Sequence, residues 1–154
     1  MVDGALLQEV LQEEAGILER MLDLEEETQY LLIKGEAKEL EKLNMEKDKL
    51  IARLTELEEQ RQKLFPAGVT LEQYLVEEKP GNRRELEEIR KILLQLHASL
   101  QKKLNLNRYL LRHNLHFTRQ SINSLFPGIK DTTLYASSGE KNEQIPAGLV
   151  DSNV

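Results

Sequence analysis

Apolar residues recur through most of this chain at helical spacing, and three long stretches sustain the pattern. In the first, Val10, Ile17, Leu24 and Leu31 stand seven residues apart, flanked by Leu7, Leu11, Leu18, Met21 and Leu32. So broad an apolar face predicts one amphipathic helix over about residues 4–34, with Glu13, Glu14 and Glu25 to Glu27 on or near its edges. Gly35 is placed to end it. In the second stretch Leu43, Leu50, Leu57 and Leu64 hold one heptad position, and Leu40, Lys47, Leu54 and Arg61 hold the position three residues earlier. Strict seven-residue spacing specifies a coiled-coil seam over residues 37–64. Lys47 and Arg61 interrupt that seam. Their long stems are expected to cover apolar surface while the charges reach the rim; the alternative is that they set register or partner.

Phe65-Pro66-Ala67-Gly68 closes the second helix. Thr70 is a suitable cap for a short amphipathic turn from Leu71 to Glu78, and Lys79-Pro80-Gly81-Asn82 breaks the chain again, with Asn82 as a candidate N-cap. The third long helix is expected over residues 83–125. Its stripe starts as Leu86, Ile89, Leu93, Leu96 and Leu100 and continues as Leu104, Leu111, Leu115, Ile122 and Leu125. Some forty residues of helix span roughly 60 Å, enough to lie along either earlier helix and project past one end. Phe126-Pro127-Gly128 stops it. The remaining residues are rich in Ser, Thr, Gly, Asn and Asp, lack a sustained period and read as a segment disordered in isolation. The expected fold is therefore all-α: an antiparallel long-helix bundle, or coiled-coil hairpin, of three main helices. Residues 1–126 form the helical body, with a short insert at 66–82, and residues 127–154 form a flexible tail.

Composition agrees with long helices. The chain has 154 residues, one domain's worth, of which 40% are hydrophobic, 31% charged and only 5% aromatic. Its 29 Leu and absence of Trp disfavour a sheet sandwich, which needs β-branched and aromatic side chains. The lack of Cys excludes a disulfide scaffold, a zinc ribbon and a thiol nucleophile, and fits a reducing cytoplasm. No secretory h-region opens the chain and no apolar run approaches the length of a membrane span, so neither signal-directed export nor membrane insertion is expected.

The net charge of −6 and pI near 5.2 disfavour a general nucleic-acid binder, but the charge is unevenly placed. Residues 1–64 carry 9 Lys+Arg against 17 Asp+Glu, net −8, whereas residues 83–119 carry 9 against 3, net +6. From Arg90 to Arg119 there is no acidic residue. The plainer interpretation is a basic helix lying antiparallel beside acidic ones; the sharper is a basic stripe for an acidic partner.

Catalytic chemistry has no foothold. There is no Gly-rich phosphate loop and no nucleophile elbow. His113 and His116 share a helical face at i, i+3, but neither has a Glu three residues before it, as di-metal bundles require, and the surroundings are basic. His97 sits on the apolar stripe as a packed or edge histidine. Glu13-Glu14 and Glu58-Glu59 read as charges of solvated faces. No catalytic residue, metal ligand or cofactor is assigned.

Three separated blocks carry a family resemblance. The first is Glu46-Lys47-Asp48-Lys49-Leu50-Ile51-Ala52-Arg53-Leu54, leading to Leu57-Glu58-Glu59-Gln60-Arg61. The second is Asn105-Leu106-Asn107-Arg108-Tyr109-Leu110-Leu111, continuing to Phe117, Ile122 and Leu125. The third is Thr133-Leu134-Tyr135-Ala136-Ser137-Ser138-Gly139. In order and spacing they resemble the FlgN family of flagellar export chaperones over about residues 5–140. The resemblance implies a cytoplasmic, non-enzymatic chaperone of type III secretion. Such a protein holds hook-associated (hook-filament junction) proteins, prevents their premature assembly and delivers them to the export gate, with the export ATPase as a further candidate partner. Carried onto this chain, client binding falls on Asn107, Leu111, Asn114, Leu115, Phe117, Ile122 and Leu125, and gate binding on Leu134 and Tyr135. The stretch Lys141 to Val154 matches nothing in the family pattern. Phe117 and Leu115 lie about 200° apart on a helix, so apolar surface remains for a partner; a second copy in a homodimer is the alternative occupant. A secretion chaperone with a different client and a structural coiled-coil adaptor are the competing functions.

Overall fold

The computed structural model describes residues 2–125, and every regular element among them is a helix: α1 (Gly4–Lys34), α2 (Ala37–Leu64), α3 (Leu71–Glu77) and α4 (Arg83–Leu125). The three long helices fall where the apolar periods place them. Asp3 caps α1, its carboxylate accepting from the Ala5 and Leu6 amides at 3.1 and 3.2 Å. Gly35 ends α1 in the left-handed region, with φ 74°, and its N–H donates to the Leu31 carbonyl. A side chain there would be strained, and the chain reverses at once into α2.

α1 is the spine of the molecule. α2 packs on one side of it and α4 on another, while α2 and α4 hardly touch each other. α2 runs antiparallel to α1: Glu14 meets Arg61 and Glu25 meets Lys47. α4 runs parallel to α1, because Gly4 lies beside Asn82, Glu25 beside Asn107 and Leu32 beside Asn114. The topology is up-down-up, so the basic segment lies parallel to its main neighbour rather than antiparallel. Asn82 directly precedes α4, but its amide reaches across to the Gly4 carbonyl and to Gln8, at 2.8 and 3.0 Å, and fastens the start of α4 to the start of α1.

The apolar core fills one end, called lower here. Leu7, Leu11, Leu18 and Met21 of α1 pack with Leu86, Ile89, Leu93 and Leu100 of α4. α3 completes this end with Leu71, Tyr74 and Leu75. It forms because Thr70 and Gln73 make a reciprocal capping box. Tyr74 meets the Phe65 ring edge-on at 5.4 Å, and Glu72 pairs with Arg90, so α3 bridges the end of α2 and the start of α4. α2 contributes fully buried Leu57, while Leu50, Ile51, Leu54 and Leu64 are half-buried against the core.

The two interruptions of the α2 seam do not send their charges to the rim. Arg61 is buried and Lys47 half-buried, and both meet buried carboxylates of α1, so Glu14 and Glu25 are not solvated edge charges either. The Lys47 ammonium lies 2.7 Å from Glu25, whose side chain is only 4% exposed, and donates to Thr28 Oγ1 at 2.6 Å. The Asn107 amide of α4 donates to the same Glu25 carboxylate at 2.7 Å and to the Glu25 carbonyl at 2.8 Å. Three helices thus meet at one polar node. Lower down, Arg61 Nε lies 3.5 Å from Glu14. These side chains sit where the rim expectation fails because α1 itself has polar residues in its inward heptads, Leu7-Glu14-Met21-Thr28 and Leu11-Leu18-Glu25-Leu32.

Burial raises the Glu14 pKa to about 7; Arg61 opposes the shift and Glu58 adds to it. A carboxyl whose pKa is higher folded than unfolded contributes stability that is fully present below about pH 4.5 and is lost as pH rises through about 7. Urea unfolding from pH 5 to 8 should therefore show wild type losing up to about 3 kcal/mol relative to Glu14→Gln as pH rises. A constant gap between the two proteins would contradict the buried, proton-binding carboxyl.

Candidate partner-binding surface

α4 outruns its support. Asn114 is already level with Leu32, two residues before α1 ends, so about nine residues of α4, or about 13 Å, continue past it. The apolar stripe continues with them. Leu86, Leu104 and Ile122 are spaced by 18 residues, which is five helical turns, and therefore share one face. Ile89, Asn107 and Leu125 repeat the same spacing. At the lower end this face is covered by α1 and α3; Leu86 is fully buried. At the upper end Leu111, Leu115 and Ile122 are half-buried, and Leu125 is 73% exposed.

Other apolar side chains gather at this end. Tyr30 and Ile33 of α1, Met45 of α2, and Tyr109 and Phe117 of α4 are all exposed, while Leu40 and Leu43 of α2 are half-buried. Lys34 lies over the Tyr30 ring at 4.4 Å, and Tyr109 stacks with His113 at 6.4 Å. Phe117, 66% exposed, lies off the inner stripe and presents a separate apolar spot. Tyr30, Ile33 and Met45 stand outside the main heptad rows of their helices, the available sequence signal for their exposure.

The structure divides the residues assigned to client binding. Leu111, Leu115, Ile122 and Leu125 line the continuing stripe, and Phe117 stands apart from it. Asn107 and Asn114 serve the interior. Asn107 is buried and its amide is held by Glu25; the amide of Asn114 donates to the Leu32 carbonyl at 2.7 Å, satisfying an end group of α1. Their shared i, i+7 spacing continues the buried row Leu86-Leu93-Leu100, and both fasten α4 to α1. Leu134 and Tyr135 lie outside the described residues. His113 and His116 are exposed, and among the described residues no group of His, Asp and Glu is placed to hold a metal ion. None of the described helices is long and apolar enough to cross a membrane.

The upper end therefore presents apolar side chains on two helices, half-buried Leu40 and Leu43 on α2 and the continuing stripe Leu111, Leu115, Ile122 and Leu125 on α4. A family model described as FlgN protein matches residues 1–143, nearly the whole chain. The chain belongs to this family, that of the flagellar export chaperones. No curated protein and no solved structure matches it.

Replacing Asn107 separates holding α4 in place from holding a partner. Asn107→Ala should lower urea stability by about 1–3 kcal/mol, since it strips a donor from a buried carboxylate. Partner affinity measured on the folded fraction should stay near wild type. A variant of unchanged stability with weakened partner binding would return Asn107 to the binding surface.

Proposed function

From membership of the FlgN family and the apolar α4 stripe that runs past the end of α1, we propose that the upper ends of α2 and α4 wall a groove, and that this chain is a cytoplasmic, non-enzymatic chaperone that uses it to hold hook-associated proteins, keeps them from assembling early and hands them to the type III export gate. FlgN-family chaperones serve hook-associated proteins in general. The observation that supports the holding step is the α4 stripe that runs beyond α1 with no covering helix among the described residues. An assembly protein exposes the apolar face of an amphipathic helix until its neighbours arrive, and a groove with an unfilled helix position can cover that face in the meantime.

Leu115 and Ile122 are suited to test it because each is only half-buried, so a charge there perturbs a partner more than the fold. Leu115→Asp and Ile122→Asp, made separately, should each weaken binding to hook-associated proteins at least ten-fold in titration calorimetry, with helical circular dichroism near wild type. Undiminished affinity in both would refute the holding surface.

Delivery is assigned to Leu134 and Tyr135. A Tyr combines an apolar ring with one hydrogen bond, which suits a small anchor. Attached to α4 through the intervening residues, it raises the local concentration of the whole complex at the gate without using the client groove. Tyr135→Ala should leave client affinity and thermal stability unchanged but reduce binding to the export gate and secretion of the client, with Leu134→Ala milder. Secretion at the wild-type level by Tyr135→Ala would end the delivery role.

A further inference from the structure

The lower end shows how this scaffold receives a short amphipathic helix. α3 buries Leu71, Tyr74 and Leu75 between the end of α2 and the start of α4, and it turns Glu72 toward α4, where the carboxylate meets Arg90 at 3.3 Å. Arg90 is the first of a line. Arg108 follows it by 18 residues, five turns, and Arg119 by 29, eight turns to within a fifth of a residue. All three therefore lie along one edge of α4, beside the stripe of Leu104, Leu111, Leu115 and Ile122. The acidic residues of α4 are confined to Glu85, Glu87 and Glu88 in its first turns. Among the described residues no acidic side chain pairs with Arg108 or Arg119, whereas Lys103, on the side toward α1, is already met by Glu26 at 3.7 Å and by Gln29 at 3.2 Å.

We propose that the helix taken up by the upper groove carries an acidic edge, and that this edge lies along Arg108 and Arg119 as Glu72 of α3 lies along Arg90. The inference rests on the holding surface proposed above and adds the chemistry of its occupant: an amphipathic helix with apolar residues toward Leu115 and Ile122 and carboxylates on the flank that borders α4. A basic flank is repelled by the same arginines. The edge therefore also sets direction, because turning a one-edged helix end for end exchanges its flanks. The partner becomes in effect a longer α3, stacked above the first along one cationic rail.

The test uses the full chain and three synthetic 18-residue amphipathic peptides with one identical leucine face. Their flanks are Glu and Gln, Gln and Gln, or Lys and Gln, and fluorescence anisotropy reads binding. The Glu-flanked peptide should bind roughly five- to ten-fold more tightly than the Gln-only peptide, as expected of two or three exposed ion pairs. That advantage should shrink as salt rises from about 50 mM to about 0.5 M, where screening acts within a few ångströms. In Arg108→Glu/Arg119→Glu, with helical content unchanged, the preference should pass to the Lys-flanked peptide. Equal binding of all three peptides, abolished by Leu115→Asp, would overturn the acidic edge while sparing the holding surface. A Glu preference that survives the double charge reversal would overturn it as well. Failure of any peptide to bind, or binding indifferent to Leu115→Asp, would bring down the holding surface together with the inference built on it.

Discussion

A carboxylate removed from water must be met by donors, and Glu25 is met from two neighbouring helices at once, by Lys47 of α2 and Asn107 of α4. Much of the architecture follows from that requirement. Leucine heptads alone tolerate sliding, since moving α2 by seven residues sets Leu43, Leu50, Leu57 and Leu64 against equivalent positions. The same slide parts Lys47 from Glu25 and Arg61 from Glu14. Two inward-facing pairs on one helix pair therefore favour one alignment, and Asn107 extends the selection to α4. Well-packed apolar residues in their place need not be less stable; what the charges supply is a single register.

Once register is held at the node, the helices need not close around each other everywhere. Below the node, α1, α3 and α4 enclose a continuous apolar core. Above it, the buried apolar residues thin out to Leu32, and α2 and α4 stand apart with their inner faces half covered. The polar node lets one end be closely packed and the other more open within the same three long helices.

The helix boundaries were legible in the sequence because their signals are local: Gly35, the Phe65 to Gly68 break and the Lys79 to Asn82 break act on the backbone where they stand. The inner apolar stripe of α4 and its projection past a neighbour were legible too, since period and length carry both. Pairing was not. Lys47, Arg61, Glu14 and Glu25 each resemble an ordinary surface charge when read one helix at a time, and their meaning appears only when two interrupted heptads are laid side by side. Asn107 and Asn114 were hidden in the opposite sense. They stand in the polar, family-like stretch of α4 or just after it, yet they continue the row of Leu86, Leu93 and Leu100 and bond to α1. The parallel course of α4 along α1 was equally hidden, because no local signal distinguishes which of two earlier helices a third will choose.

That parallel pairing has a consequence for how the molecule comes into being. Asn82 bonds to Gly4, Asn107 to Glu25 and Asn114 to Leu32, so the partners in the α1–α4 interface are separated by 78 to 82 residues. Helical proteins usually fold fast because their contacts are local. Here the α1–α2 hairpin can form as soon as residue 64 or so has left the ribosome, but half of the α1 surface then waits for a helix whose last residues are made some sixty positions later. During that interval the nascent hairpin presents Leu7, Leu11 and Leu18 to whatever is nearby, and synthesis from the N-terminus gives it ample time to do so. The contacts that hold α4 to α1 are thus the ones that join the most distant parts of the chain, unlike the local α1–α2 hairpin.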